Sequence, residues 1–107
     1  MVTGASEPGF NPLDLLYSSL AACLALSARI AASRMAVLDR FEKVTVHVSG
    51  EKADEEPSWI VRFDVRIEIK GDFDEATRSG IAHMAEDICT VSNTLKGDAE
   101  FVLSVTG

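Results

Sequence analysis

The chain is short of positive charge: 10 lysines and arginines stand against 17 aspartates and glutamates, giving a net charge of -7, and the basic residues form no cluster. Nucleic acid binding needs concentrated positive charge to displace counterions from phosphates, so the sequence argues against that class of partner. An anionic membrane surface is disfavoured on the same ground. Cysteine is scarce too. Two cysteines in 107 residues are too few for a secreted disulfide framework, and at positions 23 and 89 they lack the close spacing of a zinc knuckle. A cytoplasmic, thiol-permissive setting is the expectation. Low-complexity stretches are missing as well, and 47% hydrophobic with 25% charged residues is the composition of a folded chain. At this length there is room for one domain and one core.

Residues 1–10, MVTGASEPGF, hold two glycines and a proline without periodicity and read as an exposed lead-in loop. Asn11 then offers an N-cap side chain, and Pro12 suits the first helical position, where its missing N–H costs nothing. With no glycine or proline following, a helix is expected over residues 11–38, roughly 40 Å long. Asp14, Arg29 and Arg34 interrupt its apolar run, and no basic segment precedes it, which argues against a membrane span or a signal sequence. Its apolar positions go most of the way around, so such a helix must be covered on every side.

Val44, Val46 and Val48 alternate with Thr45, His47 and Ser49; after an acidic turn, Trp59, Val61, Phe63, Val65, Ile67 and Ile69 alternate with Arg62, Asp64, Arg66, Glu68 and Lys70. Both runs have the period of half-buried strands and predict a β-hairpin over residues 42–70. Asp72 with Glu75 resembles an acidic capping box that opens a helical segment over residues 72–96. Phe101, Leu103 and Val105 then alternate into a strand over residues 99–106. The fold class is α+β. Three strands cannot cover two helices on all sides, so a homodimer burying the long helix is expected.

Cys23 falls mid-helix, and Leu16, Ser19, Leu20, Leu26, Ser27 and Ile30 share its face at helical spacing. A thiol with a pKa of about 8.5 is only about 3% ionised at pH 7, and apolar burial reduces that further. Lowering the pKa to about 6.5 takes roughly 2.7 kcal/mol of thiolate stabilisation, which calls for a neighbouring cation. Cys89 precedes a fresh short helix, TVSNTL, at its N-cap, where free N–H groups favour a thiolate. By local physics alone Cys89 is the more easily ionised. Simple burial of both sulfurs stands as the alternative, and a zinc site from Cys23, Cys89, His47 and His83 is a weaker one for want of close pairs. His47 and His83 read as solvated, Trp59 as packed, and Glu86 as a surface carboxylate or a neighbour that hinders ionisation of Cys89.

Together, NPLDLLYSSLAAC at residues 11–23 and CTVSNTL at residues 89–95 resemble the OsmC/Ohr family, that is, osmotically inducible protein C and the organic hydroperoxide resistance proteins. The resemblance implies an OsmC-like intertwined homodimer with the long helices central and the sheets outside. It implies thiol-dependent reduction of organic hydroperoxides, with Cys23 attacking and Cys89 resolving, and no cofactor or metal. A dithiol such as dihydrolipoamide, or a thioredoxin-like protein, would restore the thiols. Members of the family pair an arginine from an N-terminal hairpin with a glutamate ten residues before the first cysteine. Leu13 holds that position here, with Asp14 beside it, and the residues before the motif are too few for the hairpin. Nine residues of helix separate Asp14 from Cys23 by about 13 Å, so Asp14 is expected to act on the partner's pocket. The alternative is a non-catalytic binding or thiol-sensing module without the activating arginine.

Overall fold

The computed structural model describes residues 11–107, and the expected lead-in loop at residues 1–10 lies outside them. Helix α1 (Pro12–Arg34) begins as its sequence dictates: the Asn11 side chain accepts a hydrogen bond from the Asp14 N–H at 2.9 Å, and proline occupies the first turn. It ends four residues short of the expected Leu38. Ala36 adopts φ 59°, and the N–H groups of Ala36 and Val37 return to the carbonyls of Ser33 and Ala32. This is a Schellman stop built on alanine instead of glycine. It holds because Met35 and Val37, on either side, pack against the core. An L-residue in the left-handed region costs about 1–2 kcal/mol. After allowance for the looser unfolded chain, Ala36→Gly is expected to stabilise by about 0.5–1 kcal/mol. A thermal melt should show a midpoint several degrees higher.

A short 3-10 turn (Leu38–Arg40) leads into β1 (Phe41–Lys52), which pairs antiparallel with β2 (Ile60–Gly71). Val44 lies opposite Ile69, Val46 opposite Ile67 and Val48 opposite Val65. The alternating apolar set therefore falls on one face, against α1. At Gly50, opposite Phe63, a side chain would meet the Tyr17 hydroxyl at 2.5 Å; Tyr17 fills that space and packs edge-on against Phe63. Trp59, expected to pack, instead precedes β2 at the loop end of the hairpin and is exposed.

Helix α2 (Glu75–Ile88) is capped by Asp74, whose carboxylate accepts the Thr77 N–H at 2.7 Å. The expected cap, Asp72, is held by its own N–H to the Arg40 carbonyl and belongs to the end of the hairpin. Arg78 ties α2 to that end, donating to the Ile69 carbonyl at 3.0 Å and to Glu75 at 2.6 Å. The helical segment then breaks at Cys89 and restarts as α3 (Thr90–Lys96). Ala28, Ala31, Ala32, Ile69, Ile81 and Ala85 form one buried cluster, and Leu20, Leu24 and Cys89 form a second.

The strand expected over residues 99–106 does not form. Among the described residues the sheet has two strands, and Phe101, Val102, Leu103 and Val105 are more than 80% exposed. A strand needs a paired neighbour to satisfy its backbone, and this segment has none among the described residues of its own chain. The overall shape agrees: the radius of gyration is 16.9 Å, where a compact domain of this length has about 13 Å.

Candidate functional site

Two segments far apart in sequence bring the thiols together. Cys23 lies at the middle of α1, and Cys89 sits at the junction of α2 and α3, where α3 packs back onto α1. Cys89 is fully buried against Leu20 and Leu24, while Cys23 is half-buried at the edge of the same cluster. Cys89 is the N-cap of α3, and its sulfur accepts the Ser92 N–H at 3.3 Å.

Local reasoning makes Cys89 the more acidic thiol. The structure reverses that order. Burial opposes ionisation of Cys23, but the Cys89 thiol, the Val91 N–H, the Ser27 hydroxyl and the Thr90 N–H all converge on its sulfur and hold its pKa below the ordinary thiol value. None of these donors carries a charge. For Cys89, burial pushes the pKa up, its hydrogen bond to Cys23 and the Cys23 charge push it further, and the Ser92 and Val91 N–H groups only partly offset them. The two sulfurs share the N-terminal donors of α3. Once Cys23 is the thiolate, Cys89 stabilises it by keeping its own proton.

A cavity of about 400 Å³ adjoins the Cys89 side of this cluster, lined by Leu20, Leu24, Phe63, Val65, Ile67 and Leu95, with Ser92 and the Glu86–Lys96 ion pair at its polar margin. Lys96 holds the Glu86 carboxyl below its ordinary pKa, first by hydrogen bond and then by charge. Glu86 is thus engaged with Lys96 rather than directed at Cys89.

Asp14 lies elsewhere, in a separate groove of about 440 Å³ with Tyr17, Ser18, Ala21, Val46, His47 and Val48. Among the described residues no three or more His, Cys, Asp or Glu side chains converge on one point, so the four candidate zinc ligands are not assembled. Sequence reasoning counted Ser27 as part of an apolar face, although its spacing from Cys23, four residues along a helix, marks it as a neighbour. The Thr90 and Val91 donors carry no such mark, because only the docking of α3 onto α1 brings them to Cys23.

Comparison with known proteins gives a consistent picture. The family model described as OsmC-like protein matches residues 4–104. An uncharacterized protein of Haloferax volcanii is 26% identical over 106 residues, covering 99% of this chain and 78% of that protein. The crystal structure of an OsmC-like protein from Mycoplasma pneumoniae superposes with a TM-score of 0.75 at 23% identity, over 90% of this chain and 69% of that one. The organic hydroperoxide resistance protein OhrB of Bacillus subtilis superposes with a TM-score of 0.68 at 21% identity, over 88% of this chain and 68% of that one. The α+β architecture is that of these structures, and this chain spans about two thirds of their length.

Proposed function

The chain belongs to the OsmC-like protein family, and from that premise we propose that it reduces organic hydroperoxides through Cys23 and Cys89. The observation that carries this reading is the polarised thiol pair: the half-buried sulfur is the one favoured as thiolate, and its buried neighbour keeps the proton. The Cys23 thiolate attacks the terminal oxygen of the hydroperoxide and the O–O bond breaks. The alkoxide takes up a proton and leaves as the alcohol, and Cys23 becomes a sulfenic acid. The Cys89 sulfur then attacks the sulfenic sulfur, the hydroxyl leaves with the Cys89 proton as water, and a disulfide forms. A dithiol of the dihydrolipoamide kind, or a thioredoxin-like protein, reduces that disulfide and is itself oxidised. The apolar cavity beside Leu20, Leu24 and Phe63 suits the organic part of such a substrate.

The working unit in this reading is a homodimer. Leu26 and Ile30 on α1 are exposed in the single chain, as is the apolar set from Phe101 to Val105. The accessible surface is 8038 Å², against about 5,800 Å² for a compact protein of 11.5 kDa. The excess is of the order that an obligate interface buries. Asp14, remote from the Cys23 of its own chain, acts in this reading on the partner's pocket, and the cytoplasm is the compartment that keeps the resting thiols reduced. The uncharged character of the donors around Cys23 favours a second reading, a thiol-sensing module that oxidises once without turnover. One assay separates them. Reduced protein mixed with tert-butyl hydroperoxide is expected to lose both thiols in one chain as an internal disulfide, seen by mass spectrometry, and to consume further peroxide when dihydrolipoamide is supplied. Both thiols remaining free would contradict either reading, and oxidation without turnover would select the sensor.

A further inference from the structure

We propose that residues 99–105 of a second copy lie as a third strand along the open edge of β2, and that the partner's Phe101 and Leu103 wall the apolar cavity beside Cys89. Phe101, Leu103 and Val105 fall on one face of an extended chain, with Glu100, Ser104 and Thr106 on the other. In their own chain these three are 95%, 87% and 85% exposed, an apolar strand face with nothing beneath it. The complementary surface is on β2. That strand pairs with β1 alone among the described residues, so the N–H and C=O groups of its other edge are open. Val65 is 42% exposed, although Phe63 and Ile67, on the same side of the strand, pack against Leu20, Leu24 and Cys89. Every strand residue that lines the cavity, Phe63, Val65 and Ile67, comes from β2. A strand added there satisfies its backbone and sets alternate side chains over Val65 and into the cavity. The groove along β1 suits an apolar face less well, because Asp14, Ser18 and His47 line it. The occupant is a second copy: the chain leaves its own cavity open while its own segment stays exposed, and its surplus of accessible surface has the size an obligate interface buries. Reciprocal exchange about a two-fold axis gives both cavities the same wall. Leu20, Leu24 and Leu95 then come from one chain and Phe101 from the other, so the partner's ring limits the organic group a substrate can carry.

The docking rests on the homodimer and the pocket of the reading above, but on no step of the reaction. In the full chain, at concentrations where light scattering gives a dimer, hydrogen exchange read by mass spectrometry is expected to be about 100-fold slower over residues 100–105 than in an unstructured chain. Leu103→Pro removes an N–H donor and an apolar side chain. It is expected to return residues 100–105 to the free-chain rate and to speed exchange in β2 between Phe63 and Ile67, with helix content by circular dichroism unchanged. Should that variant lose its helices, Phe101→Trp in a Trp59→Phe background reads the same contact, and its indole is expected to resist quenching by acrylamide in the dimer. Residues 100–105 exchanging at the free-chain rate, or protected in a monomer, would overturn the proposal. So would protection whose loss in Leu103→Pro leaves β2 unchanged, or an indole fully open to acrylamide. A docked segment in a protein that consumes no peroxide supports the shared pocket wall while refuting peroxide reduction; a freely exchanging segment in a protein that turns over does the reverse.

Discussion

Cys23→Ser is expected to abolish peroxide-dependent loss of thiol, while Cys89→Ala is expected to let the chain react once and stop. The asymmetry follows from the division of labour in the pair. Cys23 is the sulfur on which Val91, Ser27 and Thr90 converge, so serine there leaves the donors without a nucleophile. Cys89, buried and held protonated, has a high pKa and does not replace it as the first attacker. In Cys89→Ala the first step remains and the second cannot occur, so Cys23 accumulates as a sulfenic acid that a dimedone label will trap. The first step also slows below the native midpoint, because the Cys89 thiol is a donor to the Cys23 thiolate as well as its proposed resolver. Each unit of upward shift costs about tenfold in thiolate fraction at pH values below the midpoint. Stopped-flow peroxide consumption and intact-mass analysis read the two effects separately. A Cys23→Ser chain that still consumed peroxide through Cys89 would invert the assignment.

The largest expected loss of stability lies away from the thiols, at Ile81. This side chain is fully buried between α1 and α2, and most of its buried neighbours are alanines, Ala28, Ala31, Ala32 and Ala85. Short neighbours allow the two helices to approach closely and leave Ile81 to fill the space between them. Ile81→Ala therefore opens a cavity that alanines cannot reach into. The expected cost is about 2–5 kcal/mol, a large part of the 5–15 kcal/mol typical of a domain. Urea unfolding should show a lower midpoint at unchanged slope. The midpoint of Cys23 alkylation in the folded fraction should stay where it is, since Ile81 belongs to the other buried cluster. A native unfolding midpoint in Ile81→Ala would contradict this view of the core.

Much of this architecture is legible in the amino-acid order. Asn11 and Pro12 start α1 by local chemistry, the valines of β1 and the Phe63–Ile69 alternation build the hairpin, and Cys89 as an N-cap follows from the residues after it. What escapes such reading depends on contacts that no local window contains. The end of α1 is set by Met35 and Val37 reaching the core, which forces Ala36 into a conformation glycine would normally supply. The cap of α2 moves from Asp72 to Asp74 because the end of the hairpin engages Asp72. The segment from Phe101 to Val105 has the alternation of a strand, yet alternation specifies a face and not a partner. The order of thiol acidity is the sharpest instance: the N–H groups ahead of α3 are visible in the sequence, but their reach to Cys23 exists only once α3 lies on α1.

That order is open to direct measurement. In reduced protein carrying carbon-13 at the cysteine Cβ positions, with the two signals assigned through Cys89→Ser, a pH titration followed by NMR reports the ionisation of each thiol independently. Cys23 is expected to titrate below about 8.5, the ordinary thiol value, and Cys89 above it, with the Cys89 signal also sensing the first step because the pair is coupled. A Cys89 that ionises first, with Cys23 at or above the ordinary value, would contradict the assignment of Cys23 as the activated nucleophile.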